Sequence, residues 1–136
     1  MILVDSSVWI SAWKGVDASL TSKLSELIEL EEVGINPLIR MELLQGASDT
    51  KHQNQIRVLL DPVPIQEISS EIWYGTPVFS LQQRQKGVTL TTVDCLIAYQ
   101  AKILNASLWS LDRVFEKISG VRMYRLTPPP TNSKIH

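Results

Sequence analysis

Short apolar runs typical of β-strands alternate along this chain with longer segments of helical periodicity. The predicted strands cover residues 1–4, 33–35, 63–65, 107–111 and 121–126. The predicted helices cover residues 20–30, 37–46, 51–60, 69–84 and 91–105, with a short helix over 112–118 and a helical or irregular connection over 8–13. This alternation is typical of an α/β domain built on a mainly parallel sheet.

Proline and glycine positions define the boundaries of several predicted elements. Asn36 and Pro37 provide an N-cap and a proline at the first helical position, and Gly46 can close that helix. Pro77 lies inside the predicted helix 69–84 and should kink or break it. The prolines around residues 63–65 suit an edge strand or the end of a strand.

The 136 residues fit one domain, which we expect to cover residues 1–126, followed by a loose C-terminal tail over 127–136. No apolar stretch approaches the roughly 18 residues of a membrane span, and the N-terminus predicts a strand rather than a signal peptide. We therefore expect a cytoplasmic protein in which the lone Cys95 fills the core. The formal net charge of −1 gives no global basic field, so nucleic-acid binding must be local or metal-assisted.

Four acidic residues lie in or beside runs that the pattern predicts to be buried, namely Asp5, Glu42, Asp94 and Asp112. A buried carboxylate is disfavoured unless it is protonated, hydrogen-bonded, ion-paired or bound to a metal. Asp5 and Asp112 follow apolar strands, at the edge where open parallel sheets hold their ligands. Asp94 and Glu42 fall in the first and second turns of helices that begin at the same edge. The four carboxylates are therefore predicted to meet at a metal site.

Each acid also has a structural alternative. Asp5 and Asp112 could cap the segments that follow them, and Asp94 could be held by a capping box with Thr91. Glu42 is harder to explain in this way, because its neighbours one helical turn earlier are apolar. Taken as a set, the placement of the four acids favours a functional site.

The acids stand in four short motifs: Val-Asp5-Ser-Ser, Met-Glu42-Leu-Leu-Gln-Gly, Thr-Val-Asp94-Cys-Leu-Ile-Ala and Leu-Trp-Ser110-Leu-Asp112-Arg-Val-Phe115. In order and spacing these motifs resemble those of the PIN-domain ribonucleases, specifically the VapC-type toxins of toxin–antitoxin pairs. The resemblance extends from Met1 to about Leu126.

This resemblance implies a three-layer α/β/α fold and a metal-dependent endoribonuclease that forms a homodimer and is inhibited by a cognate antitoxin. Its acidic quartet corresponds to Asp5, Glu42, Asp94 and Asp112, and its hydroxyl two positions before the last acid corresponds to Ser110. Many relatives carry an acid or a polar residue two positions after the last Asp, where this chain has Val114. That departure bears on whether a second metal ion can be held.

The residue types support the same chemistry without the resemblance. Oxygen ligands without a His or Cys cluster favour Mg²⁺ or Mn²⁺ over zinc. The two histidines, in a polar helix and at the tail, are poorly placed as general bases, so hydrolysis of RNA would use a metal-activated water. We expect Asp5 and Asp94 to be the firmest metal ligands, with Glu42 and Asp112 as ligands or water-positioning groups.

Other side chains near these motifs are candidates for RNA or protein contacts. The candidate phosphate contacts are Arg40, Arg84, Lys86 and Arg113, each of which could equally be solvated surface. Trp9 and Trp13 are spaced i, i+4 beside the first acid. They fit core or dimer contacts better than base-stacking platforms, although exposed aromatic surface there could receive an amphipathic antitoxin helix.

Two other classes of protein use related features. A phosphoryl-transfer domain of the haloacid-dehalogenase type needs a second Asp two residues after the first, where this chain has Ser7. The stronger alternative is a catalytically silent PIN-like dimer that only binds a protein partner. Divalent-metal-dependent cleavage of RNA would distinguish the enzyme from the silent dimer.

Overall fold

Four short strands form the centre of the molecule in the computed structural model, which describes residues 1–126. The first half contains β1 Ile2–Val4, α1 Ser6–Lys14, α2 Ala18–Glu29, β2 Val33–Gly34, α3 Pro37–Gln45 and α4 Thr50–Leu60. The second half contains α5 Ser70–Gln85, α6 Thr92–Ile103, β3 Ser107–Trp109, a 3₁₀ helix Arg113–Lys117 and β4 Arg122–Met123. The tail predicted over 127–136 lies outside the described residues.

The strands pair in the order β2-β1-β3-β4, and every pairing is parallel. In the central strand β1, Ile2 is opposite Val33 on one side and Ser107 on the other. The helices pack as α1 on α2, α3 on α4 and α5 on α6 around this sheet. The predicted three-layer α/β/α architecture with a parallel sheet is therefore confirmed.

The core forms around β1, where Leu3 and Val4 are completely buried, as expected for a central parallel strand. Trp9, on the first helix, is also buried, and its indole Nε1 donates a hydrogen bond to the carbonyl of Val4 at 3.1 Å. Cys95 is buried, as predicted. Within residues 1–126 no helix combines the length and the apolar character needed to cross a membrane.

Two helix starts follow the sequence closely. The side chain of Asn36 accepts a hydrogen bond from the backbone N–H of Ile39 at 2.7 Å, and Pro37 takes the first helical position of α3. At the start of α6, Thr91 Oγ1 accepts from the backbone N–H of Asp94 at 3.2 Å. These caps satisfy N–H groups that have no partner inside the helix, and they fix where each acid-bearing helix begins.

The predicted strand over residues 63–65 was wrong in extent. Only an isolated parallel bridge joins Ile35 to Ile65. Pro62 and Pro64 have no backbone N–H to donate, so a ladder cannot extend through this segment.

Of the two effects predicted for Pro77, a kink or a break, the break was wrong, because α5 continues through Pro77 as one helix. A proline deprives the carbonyl four residues earlier, that of Trp73, of its helical partner. Both residues lie on the exposed face of α5, where water can hydrate that carbonyl.

The last two strands are shorter than predicted. β3 stops at Trp109 because Leu111 and Asp112 direct their backbone N–H groups to serine hydroxyls, those of Ser7 and Ser110. These local bonds replace the strand ladder. β4 covers only two residues, although the N–H of Tyr124 still bonds to the carbonyl of Leu108 at 2.7 Å.

Candidate active site

Asp5 stands directly after β1, at the carboxyl edge of the sheet, and only 6% of its surface is exposed. It occupies the N-cap position of α1, but its side chain makes no capping bond there. Its carboxylate instead accepts hydrogen bonds from the hydroxyls of Ser7 at 2.9 Å and Ser110 at 2.8 Å. The capping alternative for this side chain is therefore wrong, and Asp5 is held by hydroxyls from two separate segments.

The two serine hydroxyls are themselves oriented by the backbone. Ser7 Oγ accepts from the N–H of Leu111 at 3.0 Å, and Ser110 Oγ accepts from the N–H of Asp112 at 3.0 Å. Each hydroxyl is thereby left to donate its proton to the carboxylate of Asp5. This arrangement holds the carboxylate of Asp5 in a fixed orientation.

Glu42 lies in the second turn of α3, and its side chain is exposed rather than buried. The pKa of Glu42 is nevertheless raised above its usual value. Desolvation by the surrounding protein is the largest cause, followed by the negative charges of Asp5 and Asp94. Burial and the two neighbouring negative charges therefore both disfavour the ionised form of Glu42.

Asp94 is half-buried in the first turn of α6. The pKa of its carboxyl group is raised, first by desolvation and then by the charges of Asp5 and Asp112. A hydrogen bond with Thr91 opposes this shift, so the predicted capping box contributes but does not cancel it. Thr91 is therefore the capping residue, and the carboxyl group of Asp94 belongs to the charged cluster.

Asp112 is exposed and caps the 3₁₀ helix, since its carboxylate accepts from the N–H of Val114 at 3.0 Å. The capping alternative is correct for this acid, while its charge also raises the pKa of Asp94. Val114 is half-buried against the hydrophobic core.

The structure thus brings the four predicted acids into one electrostatic neighbourhood at the carboxyl edge. The expectation that all four are buried is wrong, because Glu42 and Asp112 are exposed. In the described part of the chain, no three acidic, histidine or cysteine side chains stand at the mutual spacing of metal ligands. The arrangement is a group of like charges of which one member, Asp5, is fixed by hydrogen bonds.

A groove of about 320 Å³ lies beside Glu42. Its lining residues come from α1, α3 and α4 and are mostly apolar: Ile10, Trp13, Lys14, Glu42, Leu43, Gly46, His52 and Ile56. Trp13 lines this groove, whereas its neighbour Trp9 belongs to the core, so only one of the two predicted aromatic contacts is available to a partner.

The remaining sequence candidates are dispersed. Arg84, Lys86 and Arg113 are exposed, while Arg40 is half-buried and lines a separate cleft along α3. His52 contributes to the groove, and its Nδ1 accepts a hydrogen bond from the backbone N–H of Ser48 at 3.0 Å.

The sequence interpretation missed two features. The first is Ser7, which entered the sequence analysis only because a haloacid-dehalogenase domain would have an Asp at this position. A hydroxyl two residues after a strand-end Asp indicates a hydrogen-bond partner for that Asp. The second is Gln100, whose fully buried amide accepts from Asn36 Nδ2 at 2.9 Å and donates to the carbonyls of Gln66 and Glu67. A glutamine inside the apolar face of α6 was the available indication.

Comparison with known proteins places this geometry in context. Solved structures with the same fold include VapBC2 from Rickettsia felis bound to a promoter DNA fragment, with a TM-score of 0.77 and 22% identity, covering 93% of this chain and 100% of that one. They also include a toxin-antitoxin complex from Klebsiella pneumoniae, with a TM-score of 0.74 and 20% identity, covering 93% and 100% of the two chains. FitAcB from Neisseria gonorrhoeae gives a TM-score of 0.75 and 20% identity, with coverage of 91% and 97%.

At these identities the likeness is one of fold. No curated protein matches the sequence significantly. The PIN domain family model, however, matches residues 2–121, which is most of the chain and includes all four acids and both serines that hold Asp5. The chain therefore belongs to the PIN domain family.

Proposed function

We propose that this protein is a metal-dependent endoribonuclease and the toxin of a toxin–antitoxin pair, acting in the cytoplasm. The observation that carries the proposal is the cluster of mutually repelling carboxylates around Asp5. Two serine hydroxyls hold Asp5 itself in a fixed orientation. Clustered acids with raised pKa values are more typical of a functional site than of a structural one. Membership of the PIN family and the toxin–antitoxin complexes among the similar folds support the toxin assignment.

The donor set fits a divalent cation such as Mg²⁺ or Mn²⁺. Its oxygens come from Asp5, Glu42, Asp94 and Asp112. Mg²⁺ and Mn²⁺ prefer hard oxygen ligands of this kind. Asp5 is the fixed ligand, whereas the exposed Glu42 and Asp112 side chains can change rotamer to close around an ion. When bound, the ion would supply an activated water and stabilise charge on the phosphate.

The residues of the chain itself have distinct roles in this proposal. Ser7 and Ser110 orient the carboxylate of Asp5, so the catalytic group Asp5 does not have to be ordered when substrate binds. Glu42 and Asp94 hold protons more tightly than ordinary carboxylates, and these protons must leave when a cation binds. Cleavage is therefore expected to increase with pH over the titration of these two groups.

We propose a cognate antitoxin as the protein partner, bound in the groove beside Glu42. The apolar wall formed by Ile10, Trp13 and Ile56 suits the apolar face of an amphipathic helix. A basic side chain of the antitoxin, most simply Arg, would pair with the carboxylates and compete with the metal. Calorimetry of the pair with increasing divalent ion at constant ionic strength should show weakening affinity, and an unchanged affinity would exclude competition.

We also propose a homodimer. One face of α5 exposes a row of apolar side chains that a small monomer would not need: Trp73, Tyr74, Pro77, Val78 and Leu81. Val78→Glu should shift the protein to monomer in light scattering. Val58→Glu, on the exposed face of α4, is the matched control and should not. Equal behaviour of the two variants would contradict a dimer through α5.

The test of the enzymatic proposal is cleavage of single-stranded RNA by the purified protein with Mg²⁺ or Mn²⁺ and with a chelator. We expect cleavage only with the ion, and its loss in Asp94→Asn. Asp49→Asn is the control, since Asp49 caps α4 and Asn caps a helix equally well. A folded protein without metal-dependent cleavage would favour the alternative of a catalytically silent PIN-like dimer.

A further inference from the structure

Charge is distributed unevenly along the chain. Residues 1–83 contain five basic and eleven acidic residues, a net charge of −6, whereas residues 84–126 contain seven basic and three acidic residues, a net charge of +4. The overall value of −1 therefore conceals a basic third of the molecule. Basic residues of this range that share one surface could attract a polyanion there.

The basic side chains of this part converge on the segment that follows Asp112. The 3₁₀ helix begins with Arg113 and ends with Lys117, both exposed, and at about 2 Å per residue it spans roughly 10 Å. The turn after it, at Ser119 and Gly120, receives two further lysines. We call Arg113, Lys117, Lys86 and Lys102 the basic strip.

Contacts at this turn show how separate elements build the strip. Lys86, at the end of α5, donates from Nζ to Ser119 Oγ at 2.8 Å. Lys102, near the end of α6, places Nζ 3.7 Å from the position that a β-carbon on Gly120 would occupy. The stem of Lys102 is also held, because its ammonium lies 5.7 Å from the ring centroid of Phe79.

The positive charge of the strip is not neutralised locally. Glu116, the acidic residue between Arg113 and Lys117, pairs with Arg125 at 2.6 Å, and this pairing lowers the pKa of Glu116. In residues 1–126 none of the four basic residues of the strip forms a salt bridge. Exposed, unpaired cations in a row are the arrangement that binds the phosphates of a nucleic-acid backbone.

We propose that the basic strip holds the RNA backbone on one side of the scissile phosphate, so that the strand leaves the acidic cluster past Arg113 toward Ser119. The proposal rests on the proposed ribonuclease function. RNA suits the strip because the strip starts at Asp112, within the acidic cluster where the reacting phosphate must lie. None of the four strip residues lines the groove beside Glu42, so the proposed RNA and antitoxin sites share no residue of the strip.

The test measures binding of a labelled single-stranded oligouridylate without divalent ions, in an Asp94→Asn background that cannot cleave it. Lys86→Gln with Lys117→Gln should weaken binding about tenfold and reduce the salt dependence of the logarithm of the binding constant by about 0.7 per lost contact. Lys23→Gln with Lys51→Gln removes the same charge from helices α2 and α4, outside the strip, and should leave the salt dependence unchanged.

The outcomes separate this inference from the proposed function. Equal salt dependence of RNA binding in the two double variants would refute the proposal that the basic strip binds RNA, even if the wild-type protein cleaves RNA. Loss of antitoxin binding in the strip variant with unchanged RNA binding would also overturn it and assign the strip to the protein partner. Absence of RNA binding and cleavage by the wild-type protein would overturn the proposed function and the strip together.

Discussion

Two polar clusters lie beside the same sheet and are built in opposite ways. In the amide pair of Asn36 and Gln100, both side chains have partners for their nitrogen and their oxygen, and no exposed surface remains. In the acidic cluster, carboxylates repel one another, and no lysine or arginine of residues 1–126 forms a salt bridge with them. The amide pair is complete within the chain, whereas the acidic cluster has no positive partner in residues 1–126, as the proposed cation site requires.

The largest effect should come from removing the fixed charge of the acidic cluster. Asp5→Asn keeps the size of the side chain but weakens the cation site, so metal-dependent RNA cleavage should fall by about 100-fold or more. Asp17→Asn is the control, because Asp17 caps α2 and Asn serves equally well there. Near-normal cleavage by the Asp5 variant, with contaminating nuclease excluded, would show that the acidic cluster is not needed for catalysis. The functional contrast between the acidic cluster and the amide pair would then be refuted.

The amide pair should instead respond in stability. Gln100→Leu leaves the amide of Asn36 and two backbone carbonyls without partners, which should reduce the free energy of unfolding by roughly 2–3 kcal/mol in denaturant titration. Gln83→Leu is a close control, because Gln83 is also buried but its Oε1 has no partner among the described residues. Gln83→Leu should be neutral or stabilising, and an equal loss in both variants would refute the argument.

An intermediate effect is expected from the hydroxyls that orient Asp5. Ser110→Ala removes the 2.8 Å hydrogen bond while leaving every carboxylate in place. Affinity for Mn²⁺, measured by calorimetry, should fall by about tenfold, as is usual for groups that orient a metal ligand. Ser25→Ala, on the exposed surface of α2, provides the reference value. An unaltered affinity would mean that Asp5 does not need this support.

The smallest effect concerns pH. Since the folded protein raises the pKa values of Glu42 and Asp94, it binds their protons more tightly than the unfolded chain does. The resulting stability is full below the ordinary carboxyl pKa values and is lost as pH rises through the raised ones. Thermal unfolding of the metal-free protein should show this decline, and Glu42→Gln should reduce it.

Gln100→Leu should leave the pH dependence of unfolding unchanged, because amides do not titrate in this range. Added Mn²⁺ should reverse the decline, since it replaces the protons on the carboxylates. A pH profile that is identical in the wild-type protein and Glu42→Gln would contradict the account of the acidic cluster.

Local sequence was sufficient to predict much of this molecule. Asn36, Pro37 and Thr91 define helix starts by capping chemistry that needs only neighbouring residues. The rule that parallel strands end at the same edge of a sheet then predicted that Asp5 and Asp112 lie near each other. The observed pairing of β1 with β3 agrees with it. Exposure could not be predicted in the same way, because the surroundings of Glu42 depend on how α3 packs against α1 and α4.

The failures at the end of β3 and at Gln100 share a physical cause, which is contact with residues distant in sequence. β3 ended early because the hydroxyl of Ser7, more than 100 residues away, takes the N–H of Leu111. Pro77 did not break α5 because its side of the helix faces solvent. The partners of Gln100 come from segments 33 to 64 residues earlier, so no local pattern could identify them.

The position of β1 between β2 and β3 has a consequence for the timing of synthesis. Asp5 leaves the ribosome more than 100 residues before Ser110 and Asp112 do. Until then one edge of β1 is unpaired, and the carboxylate of Asp5 lacks a hydroxyl that orients it. In a nascent chain the acidic cluster would therefore stay incomplete until the segment around Ser110 has emerged and paired with β1.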